Sequence, residues 1–128
     1  MNIKTTAPLI LSAVLLAACA GYATTPAGPA RISGDVLTGA NGMTLYVFDK
    51  DVAGSGKSVC NGPCATNWPP LLVTDGESAG SDFSVVLRDD SRKQWAYKGK
   101  PLYFWVKDQK PGDMTGEGVN NIWHVAKP

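Results

Sequence analysis

The sequence predicts an all-β fold, a compact sandwich or small barrel built from two related half-repeats with little helix. Three observations lead there. No stretch keeps apolar residues at helical spacing over three turns. Short apolar runs are bounded by turn residues, with 14 Gly and 9 Pro spread along 128 residues. One of those runs also recurs. Gly42-Met-Thr-Leu45-Tyr46-Val-Phe48-Asp-Lys-Asp51 reappears as Gly99-Lys-Pro-Leu102-Tyr103-Phe-Trp105-Val-Lys-Asp108 at a constant offset of 57. Each copy runs into a Gly-rich loop and then a tryptophan, Trp68 or Trp123. A unit that recurs in this way implies two halves of like design packed on each other.

The expected strands follow in order. Val36-Leu37 comes after the turn Gly34-Asp35. Met43 to Phe48 comes after Gly39-Ala40-Asn41-Gly42, whose Asn-Gly is a strong hairpin signal. Phe83 to Leu87 and Lys93 to Tyr97 flank Arg88-Asp89-Asp90-Ser91, a turn. Lys98-Gly99-Lys100-Pro101 leads into Leu102 to Val106, and Ile122 to Val125 completes the set. A brief helix is expected only near Cys64 to Asn67. Alternation places Leu45 and Val47 on one side, as it does Leu102, Phe104 and Val106. Tyr46 with Phe48, and Tyr103 with Trp105, take the other. Both sides are apolar, so the two repeat strands should be central and covered on both faces.

The N-terminus has a different character. Lys4 is the only charge in residues 1–18, Ala7 to Leu16 is almost wholly apolar, and Leu16-Ala17-Ala18 precedes Cys19. The apolar run is shorter than the roughly 20 residues a permanent spanning helix needs, which fits a cleaved signal peptide over residues 1–18. Leu-Ala-Ala-Cys resembles a lipobox, in which the Cys19 thiol takes diacylglycerol and becomes a lipid-bearing amino end. Residues 19–30 then read as a flexible tether of Ala, Thr, Gly and Pro, and residues 31–128 as the two-repeat β domain. Ala20, after the cysteine, is not an Asp-type retention signal. If the cell has two membranes, the expected location is the outer one.

Charge excludes one class of partner. Removing Lys4 leaves eleven Lys and Arg against eleven Asp and Glu, interspersed along the chain, which argues against electrostatic capture of nucleic acid. The expected partners are a membrane, through the lipid, and an envelope protein or a small ligand.

Several constellations carry chemistry. A buried Tyr hydroxyl needs a partner, and Asp51 and Asp108 stand just beyond the strand ends, where a carboxylate can accept from backbone amides. The repeated Tyr46, Phe48, Asp51 and Tyr103, Trp105, Asp108 therefore read as a strand-and-turn clasp, with an aromatic ligand groove rimmed by acids as the alternative. Cys60 and Cys64 read as a disulfide in an exported, oxidising compartment, closing a loop too short to constrain much of the unfolded chain. The alternative is a copper-binding or redox accessory protein. There Cys60, Cys64 and His124 would be ligands and Met43 and Met114 extra soft donors. Thiol–disulfide exchange is a further reading of the pair, although it usually uses Cys-x-x-Cys at a helix start.

His124 is the chain's single histidine, with no Ser or Cys beside it in sequence, so no catalytic triad is supported and no enzyme is expected. Asp49 to Gly54 begins like a calcium loop, but Ala53 and Cys60 occupy ligand positions. Asp113-Met-Thr-Gly-Glu117-Gly118 is better explained by Gly-rich turns than by a cation. Gly54-Ser-Gly-Lys57-Ser58 lacks the first glycine of a phosphate loop. No cofactor is expected on the leading reading; copper belongs to the alternative.

Tyr46-x-Phe48-x-x-Asp51 and Tyr103-x-Trp105-x-x-Asp108 resemble the Yx(F/W/Y)xxD motif of a family of bacterial lipoproteins, also described as a secreted repeat of unknown function. Cys60-Asn-Gly-Pro-Cys64-Ala-x-x-Trp68-Pro-Pro-Leu71, Arg88-Asp-Asp90, Gln94-Trp95-x-Tyr97-x-Gly99-x-Pro101-Leu102-Tyr103, Lys110-Pro-Gly-Asp113 and Trp123-His-Val125 are similar to it as well. The likeness covers Gly42 to Ala126. It implies export, lipidation and a two-repeat domain of unknown activity. Ser91 departs from it, standing where many members carry glycine.

Overall fold

The computed structural model describes Pro8 and residues 28–128. The signal peptide, Cys19 and the tether as far as residue 27 lie outside the described residues.

The described residues fold as strands in three small antiparallel sheets, with one short helix and no closed barrel among them. In the first sheet β1 (Ala30–Ser33) pairs with β2 (Val36–Gly39) across the Gly34-Asp35 turn. In the second, β3 (Tyr46–Phe48) pairs with β7 (Trp123–Val125). The third takes the order β4 (Phe83–Leu87), β5 (Lys93–Tyr97), β6 (Lys100–Pro101). Helix α1 spans Pro63–Asn67, and a single 3-10 turn spans Val119–Asn121. The β5–β6 hairpin turns on Lys98 and Gly99, both at positive φ. That is the turn geometry whose twist matches paired strands.

The two halves meet at equivalent residues. Tyr46 N–H donates to the Tyr103 carbonyl at 2.8 Å, and Tyr103 N–H returns a bond to the Tyr46 carbonyl at 3.0 Å. Around this point each half closes the same three-bond ring. Leu45 N–H reaches the Leu37 carbonyl, Leu37 N–H that of Ala126, and Ala126 N–H that of Leu45. Leu102, Trp95 and Leu71 repeat the pattern. These bonds make Trp68-Pro-Pro-Leu71 the counterpart of Trp123-His-Val-Ala126.

The repeat strands separate two cores, as alternation requires. Tyr46, Phe48 and Tyr103 point into one, with Trp68, Trp123 and half-buried Trp105. Leu45 and Leu102 point into the other, with Leu37, Leu71, Trp95 and Ala126. The first core is a stack of rings. Phe48 lies on Trp123 with centroids 4.2 Å apart, Trp123 on Trp68 at 3.8 Å, and Trp68 on Trp105 at 3.9 Å. Tyr46 and Tyr103 meet Trp68 and Trp123 edge-on. Each such pair contributes about 0.5–1.5 kcal/mol beyond its area burial.

Two expectations need correction. Leu102 to Val106 is not a continuous strand, and Val106 turns out to solvent at 50% exposure. Phe104 N–H and Val106 N–H do donate to the carbonyls of Pro69 and Asn67. Pro69, however, has no N–H to return to Phe104, so the ladder is one-sided there. In the first half the partner is Trp123–Val125, which has its amides, and a regular strand forms. The second correction concerns β1, which was not expected. It begins at Ala30, the last residue assigned to the tether, and its one large apolar side chain, Ile32, is exposed.

Ser91 sits at φ +67° in the β4–β5 turn. This left-handed conformation costs an L-residue about 1–2 kcal/mol, against about 0.5–1 kcal/mol for the extra chain entropy of glycine. Ser91→Gly is therefore expected to raise stability by up to about 1 kcal/mol. Urea unfolding checks this; an unchanged or lower midpoint contradicts it.

Candidate functional site

The repeated Tyr and Asp side chains bond across the two halves. Tyr46 of the first copy donates its hydroxyl proton to Asp108 Oδ2 of the second at 2.6 Å. Tyr103 of the second donates to Asp51 Oδ2 of the first at 2.5 Å. Each acid then accepts from its own turn with its other oxygen. Asp51 Oδ1 takes Val59 N–H at 2.8 Å, and Asp108 Oδ1 takes the N–H and hydroxyl of Thr115 at 3.0 and 2.6 Å. Burial, reinforced by the facing carboxylate, pushes both phenols well above their usual range. Burial likewise raises the Asp51 carboxyl above its ordinary 3.8. Gly116 closes over Tyr46 and donates its N–H to the hydroxyl at 3.2 Å. A Cβ there would lie 2.7 Å from the ring, so glycine is required by space.

The disulfide loop and the β4–β5 hairpin meet in a polar core. Tyr103 commits its proton to Asp51, so Ser58 Oγ donates to the Tyr103 oxygen at 2.6 Å. Ser58 Oγ in turn accepts from Arg88 Nη1 at 3.1 Å and Cys60 N–H at 3.2 Å. The Arg88 side chain is fully buried. It also donates to Gln94 Oε1, to the Cys60 carbonyl and to Asp90 Oδ2, at 2.8, 2.8 and 3.2 Å. Such a cation is tolerated only when paired and hydrogen-bonded. Cys60 and Cys64 form a disulfide that closes this loop and begins α1.

Joined to each other, Cys60 and Cys64 offer no thiolate to a metal. Both ring nitrogens of His124 face carboxylates, Nε2 to Asp49 Oδ2 at 2.9 Å and Nδ1 to Glu117 Oε1 at 3.3 Å. The structure therefore does not bring Cys60, Cys64 and His124 together. Among the described residues no group of three or more His, Cys, Asp or Glu is disposed to hold a metal. Met43 follows the Asn41 turn, and Met114 borders a separate cleft beside Val36. Asp113, in the loop weighed for a cation, accepts from the Gln109 and Lys110 amides and from Lys110 Nζ.

The feature that sequence reading missed is an open cleft of about 510 Å³ beside the β3–β7 pair. Val47, Tyr97 and Ala126 are its apolar lining, and Lys98, Lys100, Lys127, His124, Asp49 and Glu117 are its ionisable groups. His124 bridges the two acids. Bonds to Glu117, then Asp49, raise its pKa above the ordinary 6.5. The Val125 amide, then the imidazolium, holds Glu117 below its ordinary 4.5, against some opposing desolvation. The lysines are interspersed in sequence, and the β5–β6 hairpin and the C-terminal segment bring them together.

Residues 30–72 and 84–127 each match a family described as a secreted repeat of unknown function. No curated protein and no solved structure matches the chain.

Asp108→Ala leaves the Tyr46 proton with no other acceptor, whereas after Asp51→Ala the Tyr103 hydroxyl can turn to Ser58. Both are expected to destabilise, at about 1–3 kcal/mol per orphaned buried group, and Asp108→Ala by more. Equal midpoints for the two variants and the parent in urea would sink the clasp. A second outcome concerns pH. His124 has its folded pKa raised, so its stabilisation is complete below 6.5 and is lost as pH rises through the higher folded value. Thermal unfolding between pH 5 and 9 should show this fall in the parent, reduced in His124→Gln; parallel profiles contradict it.

Proposed function

The chain belongs to the family of secreted repeats of unknown function, and from that premise we propose that it is a lipid-anchored cell-envelope protein with a non-catalytic binding or structural role. One observation carries the second half of this reading. The groups of the repeated motif that have acid–base capacity, Tyr46, Tyr103, Asp51 and Asp108, bond to each other and to their own turns. A carboxylate that holds a buried phenol and a backbone amide stabilises the fold, and it has no free geometry for a substrate proton.

Leu16-Ala-Ala-Cys19 supports the anchor. Diacylglycerol on the Cys19 sulfur and an acyl chain on its nitrogen give stable attachment without a spanning segment, since one chain alone holds only weakly. Among the described residues no helix is long and apolar enough to cross a membrane. Residues after Cys19 as far as the first strand act as the tether. Ala20 favours the outer membrane in a cell that has two.

The test is fractionation of cells expressing the parent chain and Cys19→Ser, with radiolabelled palmitate in the medium. The parent should label and sediment with membranes, and C19S should do neither. Leader removal and membrane retention of C19S, equal to the parent, would defeat the anchor.

A further inference from the structure

We infer that the cleft beside β3 and β7 is a binding site for a small organic anion, a phosphate or carboxylate borne on a ring or other apolar body. The argument begins with how the two halves differ. Phe104 of the second half lies over Gly39 of the first, so closely that a Cβ on Gly39 would meet the ring at 2.8 Å. By the offset that pairs Tyr46 with Tyr103, the first-half counterpart of Phe104 is Val47. By the hydrogen-bond pairing of each hairpin, the counterpart of Gly39 is Tyr97. At one site the Phe104 ring thus covers a residue with no side chain, whereas at the equivalent site the smaller Val47 stands beside Tyr97, and both line the cleft.

The ionisable groups around it have no ionisable counterparts at the equivalent site. Lys98 and Lys100 stand where the other half has Ala40 and Met43, His124 where it has Pro69, and Lys127 where it has Leu72. Asp49 likewise replaces Val106. Residues shared between the halves build the two cores, whereas these substitutions collect in one place. A fold that needed only a solvated surface would not require five apolar positions to become ionisable around one opening.

The charges define the ligand. Lys98, Lys100 and Lys127 form no ion pair among the described residues. Asp49 and Glu117 are already bound to His124. With His124 protonated the rim carries four positive and two negative groups, a balance of +2 (4 − 2), as large as the excess of the whole sequence when its one histidine is charged (13 − 11). The lysine side therefore attracts an anion, and the apolar lining with the Tyr97 ring accepts its body. The Lys98 ammonium already lies 5.2 Å from the centre of that ring. A volume near 510 Å³ lies in the range of small-molecule sites. The site does not depend on the anchor at Cys19, so failure of either leaves the other standing.

The test is titration of the detergent-solubilised chain with phenyl phosphate, followed by calorimetry and by the NMR signals of Val47, Lys98 and the His124 ring. Inorganic phosphate and phenol serve as the two partial probes. Saturable binding is expected, tighter for phenyl phosphate than for either part, weakening with added salt and as pH rises past the His124 transition. Two variants locate it. The triple variant K98Q/K100Q/K127Q removes the charge at solvent-facing positions, and V47F puts a bulky ring into the opening. Each should weaken binding about tenfold or more, with the unfolding midpoint of the parent kept. Absence of saturable binding by the parent overturns the inference. So does equal binding by a folded triple variant, or binding only to phosphatidylglycerol vesicles with no response to phenyl phosphate.

Discussion

The fold depends on an exchange in which each half supplies the phenol that the other half's acid must hold. Tyr46 and Asp108 are 62 residues apart, and Tyr103 and Asp51 are 52 apart. Neither half can satisfy its own buried hydroxyl, so neither is expected to be stable alone. The same exchange places Tyr46 and Tyr103 side by side, each bonding the other's backbone. It also fixes the distance at which Trp68 and Trp123 can stack between them. A buried hydroxyl without an acceptor costs about 1–3 kcal/mol, a sizeable share of the 5–15 kcal/mol that holds a typical domain together. The paired bonds therefore act as a register: a slip of either strand by one residue breaks both and turns the aromatic face away from the core.

Around that shared centre the halves differ in how their loops are held. The second returns from Asp108 through Thr115 and Gly116, and the close approach of backbone to the Tyr46 ring is enough. The first carries the Cys60–Cys64 disulfide and α1, and its loop is held by Arg88, buried at the end of β4 in the second. Arg88 ties the loop to Gln94 of β5, so the third sheet and the disulfide loop share one cation. Loss of its partners would strand a charge in the interior, typically at about 3–5 kcal/mol. By contrast the disulfide spans a separation of four residues, and by loop entropy it constrains little. It shapes the loop, and the ionic network holds it.

Much of this was legible in the sequence where the signal is local. Phe83–Leu87 and Lys93–Tyr97 could be read to the residue, because apolar runs end at a turn of short polar side chains. The repeat was legible as a constant offset, and the need of Tyr46 and Tyr103 for acceptors follows from the chemistry of a buried phenol. That the acceptors cross between halves was not legible, since spacing says nothing about which copy a side chain faces. Leu102 to Val106 reads as a strand because its own residues are suitable. The fault lies in its partner, where Pro69 withholds the returning amide. β1 escaped notice because a strand pairing through its backbone with Ile32 turned outward leaves almost no apolar pattern.

The cleft was the least legible part, and the reason bears on what a duplicated module can do. A balanced formal charge and interspersed lysines exclude a polyanion surface, but they say nothing about three lysines that a hairpin and a C-terminal segment bring to one rim. Internal repetition supplies the missing comparison. Positions that build the paired cores are held in kind in both halves, Leu45 with Leu102, Tyr46 with Tyr103, Trp68 with Trp123. Of those facing the cleft, five change from apolar to ionisable around one of the two equivalent sites only. When one of two equivalent contacts is filled by Phe104 over Gly39 and the other is left open beside Val47 and Tyr97, the fold itself is the control: the closed site shows that stability does not require the opening.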